Sequence, residues 1–277
     1  MFTNHLYIIN SITPMHVGSG DANFGLIDKQ IQRDAITGYP TIHSSSLKGA
    51  LREYTIHKCD MTNKTAEEKN NFIANIFGDS DKNGKIRFID AHLLSVPFRS
   101  DEAPYYMCTS PKAIEQLIDL AAILGISLPN TEALRQFTTT DVATALVRSG
   151  KPMIEEIQAS SSNELNFDVL ENLIGAPAAL VSDVMFDEML KNLPVIARNA
   201  LENGESKNLW YEEVVPRKSK FFTVISIPTY LDHNDSSKLL NTFNQFREYL
   251  SDKDTIHIGA NASIGYGITT FKEIGNE

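Results

Sequence analysis

Residues 14–54 gather the side chains of this chain best suited to work on a phosphate-bearing ligand: His16, Asp28, Arg33, Lys48 and Arg52. Glycines stand at 18, 20 and 25, and serines at 44, 45 and 46. Ser-Ser-Ser-Leu-Lys-Gly reads as a helix start, and the free backbone N–H groups at such a start attract an anion. Lys48 and Arg52 fall one helical turn apart on one face, so both suit the same phosphate. Asp28 lies upstream, where a carboxylate can act beside that phosphate. Each feature also has a plainer reading. The helix can be a capped helix with a solvated basic face. Asp28 can be a turn former, and His16 a structural hydrogen-bonder.

Two further motifs stand apart. Residues 79–90, DSDKNGKIRFID, place Asp79, Asp81, Asn83, Gly84 and Ile86 at the calcium-loop positions of an EF-hand. The final position holds Asp90 rather than the bidentate glutamate, and Pro97 cuts short an exiting helix. A hairpin turn is the reading favoured here. Gly259, Gly265 and Gly267 lie between two strand-like stretches rather than before a helix. They therefore read as a loop allowing close backbone approach, not as a dinucleotide fingerprint.

Composition sets bounds on these readings. The chain has 277 residues, is 42% hydrophobic and carries a formal charge of −10. That is enough apolar material for a sizeable core. The acidic balance argues against a generic nucleic-acid binder, although one basic groove on an acidic body remains compatible with it. The two cysteines, Cys59 and Cys108, form no CxxC pair and suggest neither a disulfide framework nor zinc. No apolar stretch reaches the length of a membrane span, and the first residues lack the pattern of a signal peptide. The expected setting is the cytoplasm, with no membrane partner.

The elements that must position these groups can be read in outline. Residues 5–13 predict a strand ended by Thr13-Pro14. A helix from Ser44–Ser46 buries Leu47, Ala50, Leu51 and Tyr54. A second helix, from about Thr65 to Phe77, turns Phe72, Ile73, Ile76 and Phe77 inward. Short strands are expected at 85–90 and 93–98. Ser110-Pro111 starts a helix with Ile114, Leu117, Ile118 and Ala121 inside. Residues 125–180 read as an insertion, and 183–193 as another helix. Asn203-Gly204 marks a hairpin turn. Ser236 is expected to cap a helix burying Leu239, Phe243, Phe246 and Leu250, followed by two strands around the glycine loop. Strands at both ends with helices between, and no regular βαβ alternation, favour an α+β fold with an antiparallel sheet.

Taken in order, five pieces resemble the RAMP superfamily of CRISPR-associated proteins, and within it the backbone subunits of type III-B (Cmr) effector complexes. They are PMHVGSG with GLIDKQIQRD, TGYPTIHSSSLKGALR, IFGDSDKNGKIRFIDAHLLSVPFRS, NLWYEEVVPRKSKFF and IGANASIGYG. The resemblance spans nearly the whole chain and is loose over 111–180. It implies a single RAMP domain over 1–277, with an RRM-like ferredoxin core. It also implies a mostly helical insertion at 111–180 and a protruding thumb hairpin at 198–213. The implied partners are CRISPR RNA, target RNA, further copies of the chain and other complex subunits. The implied activity is that of an antiviral endoribonuclease, a hydrolase that cuts target RNA once per stacked subunit with Mg²⁺ or another divalent cation.

The same resemblance assigns residues. Asp28 is the catalytic and metal-holding carboxylate, and His16 supports it. Ser45, Lys48, Gly49 and Arg52 contact the guide, with Arg33 nearby. Gly259, Gly265 and Gly267 belong to the same RNA-facing surface. Apart from what the resemblance assigns, Tyr211, Glu212 and Glu213 near the thumb base offer further groups for acid–base work, with no role fixed for them. Two rivals stand beside this reading: a RAMP subunit that only coats RNA, and an EF-hand-like calcium-binding interaction protein built on 79–90.

Overall fold

The computed structural model describes residues 2–20, 26–62, 64–229, 236–251 and 253–275. The chain opens with β1 (Phe2–Ser11), β2 (Thr41–Ile42), α1 (Ser44–Asp60) and α2 (Ala66–Phe77). Next come β3 (Arg87–Phe88), β4 (Ala91–Phe98), β5 (Tyr106–Thr109), α3 (Pro111–Ile123) and α4 (Thr131–Thr139). Then follow β6 (Ala145–Val147), β7 (Met153–Ile154), β8 (Ile157–Ser161), α5 (Phe167–Ile174), β9 (Ala178–Val181) and α6 (Asp183–Lys191). The last third holds β10 (Val195–Glu202), β11 (Glu205–Glu213), β12 (Lys220–Pro228), α7 (Ser236–Tyr249), β13 (Ile256–His257) and β14 (Ile268–Ile274).

One sheet runs β13-β14-β1-β12-β4-β5-β9-β6-β8-β7, with β2 also on β4 and β3 on β12. Its centre is antiparallel: β1 lies between β12 and β14, and β12 pairs with β4. β1 shows why the centre is stable. Its apolar run is continuous rather than alternating, because both faces are covered. Tyr7 and Ile9 pack with the α1, α2 and α7 side chains Leu47, Phe77 and Phe246. Leu6 and Ile8 pack with Ile114, Leu117 and Phe137 from α3 and α4. β12 alternates likewise, Phe221 and Ile225 to one cluster and Phe222 and Val224 to the other.

Helices form where the apolar spacing predicts. Thr65 and Glu68 close a reciprocal capping box on α2, whose Phe72, Ile73, Ile76 and Phe77 are all buried. Ser110 accepts the Ala113 N–H at the start of α3, with proline in the first turn. The helix at α1 departs from expectation in two ways. Its buried stripe is Leu47, Leu51, Thr55 and Cys59, with Ala50 and Tyr54 only partly covered. Its N-terminus is not capped by its own serines: the Ser44 N–H donates to Asp90 Oδ1 at 2.6 Å. Partial burial works against ionisation of Asp90, yet hydrogen bonds from Ser44 and His43 hold its carboxyl below the usual range. The expected cap at Ser236 lies outside the described side chains.

Two expectations are corrected. The sheet is mixed, because β5 pairs with β9 and β6 with β8 in parallel. Parallel pairing needs long crossovers, and the helices between β5 and β9 supply one. The segment 111–180 is therefore not mostly helical: it carries three helices and also strands that extend the main sheet. No helix among the described residues is long and apolar enough to cross a membrane.

Candidate nucleic-acid interface and catalytic cleft

β10 and β11 form a separate two-stranded sheet. Their turn holds Asn203 at φ 53° and Gly204 at φ 84°. Two positive φ values in sequence match the twist of a tight hairpin, which explains the Asn-Gly pair. Most of β11 is exposed, and only its last residues, Glu212 and Glu213, are buried. The hairpin is thus anchored at its base alone.

The anchor is built from the segment flagged by sequence. Residues 15–19 and 30–32 pair with one another through Ser19 N–H to Gln30 O at 3.0 Å and Gln32 N–H to Val17 O at 2.8 Å. Lys29 continues along β11, donating to Tyr211 O at 3.1 Å and accepting from the Glu213 N–H at 2.9 Å. Its ammonium lies 5.1 Å from the Trp210 ring centroid. Asp28 sits just outside this ladder. Its Oδ2 accepts the Tyr211 N–H at 2.7 Å, and the carboxylate is exposed. One backbone donor thus fixes an acid that still faces solvent.

His16 is placed differently from Asp28. It is buried, and its Nδ1 donates to the Glu213 carbonyl at 2.7 Å. Nε2 stands 3.8 Å from Glu212 Oε1. A ring held this way positions the hairpin base. The His16 carbonyl accepts the Ala260 N–H at 2.9 Å. A Cβ on Gly259, whose φ is +94°, would lie 2.3 Å from that carbonyl oxygen. Gly259 is therefore required by the chain's own packing. Gly265 closes the short turn at Ala262–Ile264, and Gly267 donates its N–H to Pro14 O at 2.8 Å.

Two buried carboxylates complete the base. Glu212 Oε2 accepts from Arg198 Nε at 3.1 Å and Asn261 Nδ2 at 2.8 Å. The Arg198 guanidinium lies 4.4 Å from the Tyr266 ring centroid. Glu213 accepts from Arg33 Nη2 at 2.5 Å and from the Ile31 N–H at 3.2 Å. Arg33 also donates to Gly38 O and Leu190 O. That guanidinium, expected near RNA, is committed to the protein. Arg198 and Asn261 escaped the sequence reading. The acidic doublet Glu212-Glu213, set directly before the apolar Val214-Val215, was the available signal, since buried acids require partners.

Beside the anchor, a groove of about 730 Å³ runs between α1 and the loop around β13, lined by Gly18, Gly49, Glu53, His57, Thr255 and His257 among others. Lys48 and Arg52 do not line it. Lys48 is half-buried and Arg52 exposed on another flank of α1, and Ser45 is exposed near the helix start. Arg52 contributes to the field at Asp79, whose carboxyl is held low mainly by N–H groups of Asp81 and Lys82. Those bonds make 79–84 a local turn, with Asp79 N–H returned to Lys82 O at 2.9 Å. The first and last acids of the calcium-loop pattern thus serve different ends, a turn and the α1 cap. Among the described residues, no group of three or more His, Cys, Asp or Glu side chains is arranged to hold a metal ion.

Comparison with known proteins agrees with this architecture. The chain is 28% identical, over 98% of its length and 97% of the relative's, to the CRISPR system Cmr endoribonuclease Cmr4 of Pyrococcus furiosus. It is 28% identical over 73% of its length and 64% of the relative's to a CMR subunit Cmr4 of Saccharolobus solfataricus. Among solved structures, a chain of the type III-B Cmr-beta complex bound to cognate target RNA matches with a TM-score of 0.76 at 21% identity, covering 98% of this chain and 97% of that one. Oligomeric Cmr4 from Pyrococcus furiosus matches with a TM-score of 0.72 at 23% identity, covering 98% of each. The model of the RAMP superfamily matches residues 8–271, which runs from within β1 to within β14 and takes in the cleft, so the chain belongs to the RAMP superfamily.

Proposed function

We propose that the chain is a backbone subunit of a type III-B effector complex, binding CRISPR RNA in a stacked filament and cutting complementary target RNA at regular intervals. Asp28 carries the cleavage reading: an exposed carboxylate, fixed by the Tyr211 N–H, at the base of a projecting hairpin. The two Cmr4 relatives support the subunit role, and one of them is named an endoribonuclease. The order β14-β1-β12-β4, with helices after β1 and β12, supports an RRM-like core. The hairpin supports a thumb.

The chemistry follows from RNA itself. The 2′-hydroxyl attacks the adjacent phosphorus, the bond to the 5′-oxygen breaks, and the leaving 5′-oxygen takes a proton from solvent water, which leaves a 2′,3′-cyclic phosphate and a 5′-hydroxyl. Asp28 accepts the proton of the 2′-hydroxyl. His16, Glu212 and Glu213 are buried, so they hold the hairpin base and thereby the position of Asp28. A thumb that pries a base from the duplex turns the neighbouring linkage toward in-line attack, at a cost of roughly a few kcal/mol of stacking. Sequence is read by the guide through base pairing, and the protein reads backbone and shape.

Among the described residues, those around Asp28 do not build a metal centre. One carboxylate oxygen is taken by a backbone N–H, and the neighbouring glutamates are paired with arginines. A Mg²⁺ ion there would find one protein ligand and draw the rest from water and phosphate. The steps above are therefore assigned to the chain's own groups. Purifying the chain with its native partners and sequencing the bound nucleic acid tests the reading. Guide-type RNA of defined length supports it, and an assembly free of nucleic acid contradicts it.

A further inference from the structure

The groove between α1 and the β13 loop has a chemistry of its own. Gly49 lies inside α1, where glycine weakens a helix relative to alanine. A Cβ built there meets nothing within 4 Å, so no packing within the chain requires a glycine. The position is suited instead to something that approaches α1 from outside. Among the described residues, the walls of the groove contain neither lysine nor arginine; they contain the exposed carboxylate of Glu53, 3.2 Å from His57 Nε2, and a second imidazole, His257. An anion placed beside Glu53 is repelled by its carboxylate. A hydroxyl is not: it donates to a carboxylate, and Thr255, exposed along the same groove, can donate or accept. The cations Lys48 and Arg52 stand on the other flank of the helix, apart from these acceptors.

We infer that this groove takes the ribose edge of an RNA nucleotide, its 2′-hydroxyl donating to Glu53 with Thr255 as second partner, while phosphate is met on the Lys48–Arg52 flank. The inference rests on the RNA-binding reading above. It adds that α1 separates sugar from phosphate recognition and that the groove distinguishes RNA from DNA, since only ribose carries that hydroxyl.

The test uses the full chain, a single-stranded oligoribonucleotide and its 2′-deoxy counterpart, with affinity measured at several salt concentrations. The wild-type chain should prefer the ribonucleotide. Glu53→Gln, which removes the charge but keeps an acceptor oxygen, should weaken RNA binding by roughly three- to tenfold, a part of what one hydrogen bond to a charged acceptor is worth, without weakening DNA binding. Gly49→Ala should fill the approach to the helix. Its melting temperature should equal or exceed that of the wild type, while RNA affinity falls. Lys48→Ala should lower the salt slope and leave the RNA preference intact. If Glu53→Gln tightens both oligonucleotides equally, the groove faces phosphate and the inference is wrong. If Glu53→Gln and Gly49→Ala both bind RNA as the wild type does, nothing docks in the groove. A wild-type chain that binds neither oligonucleotide overturns the RNA-binding reading itself, and the inference with it.

Discussion

The central strands and the β10–β11 hairpin are both antiparallel, yet they are held by opposite means. β1 and β12 are buried on both faces by two apolar clusters. The hairpin has almost no apolar cover, and Leu209 and Tyr211 are 54% and 43% exposed. What fixes it is polar and lies at its base: Arg198, Glu212 and Asn261 on one side, Arg33 and Glu213 on the other. Apolar burial is non-directional and tolerates small shifts, whereas buried ion pairs demand a defined geometry. The sheet therefore supplies stability, and the hairpin base supplies position. Position is what Asp28 requires, because its carboxylate hangs from the same strand.

The contrast can be broken from either side. Phe222→Ala should cost the most, about 3–5 kcal/mol by denaturant unfolding, because Phe222 is fully buried between β1, β4 and the helical cluster. Glu212→Ala should cost about 3 kcal/mol, since it strands a largely buried Arg198. That loss should appear as faster amide exchange confined to 195–202 and 205–213. If the exchange instead quickens across β1 and β12, the base is part of the core and the contrast fails.

A smaller effect is expected at the sheet edge. Glu273 on β14 is disfavoured as an anion by burial, yet hydrogen bonds from His5 on β1 and Arg247 on α7 bring its pKa down to about 2. The folded value lies below the ordinary one near 4.5, so the stabilisation is present in full above that value. It is lost as pH falls from about 4.5 towards 2. Thermal melting against pH should show this slope, and Glu273→Gln should flatten it. The least effect belongs to the hairpin tip. Replacing 201–207 by a short Gly-Ser linker should leave the melting temperature nearly unchanged and disturb the spacing of cleavage products.

How far the sequence disclosed all this depended on distance along the chain. The faces of α2 and α3, the Asn203-Gly204 turn and the flank of the glycine loop were legible, because capping, periodicity and turn chemistry act over a few residues. The strands β5 to β9 were not. They are two to five residues long; β5 and β9 are buried throughout and show no alternation, and β6 to β8 are too short to show a period. Their parallel pairing leaves no local mark. The cleft was half legible. Asp28, His16 and the α1 glycine stood out by type. The pairing of Arg33 with Glu213, 180 positions apart, did not, and neither did the separation of Lys48 and Arg52 from the groove. Whether a cation faces solvent or a buried acid is decided by tertiary packing.

The central claim is that an exposed acid, held in place by the hairpin base, does the cutting. Asp28→Ala in the assembled complex tests it most directly, with guide RNA bound and target RNA supplied. Guide binding should persist, because the proposed phosphate contacts lie on α1, while cleavage falls by about two to four orders of magnitude. Asp28→Asn, which can still accept the Tyr211 N–H, should lose cleavage to a similar degree, separating chemistry from positioning. Target cleavage at the wild-type rate by either variant would contradict the account.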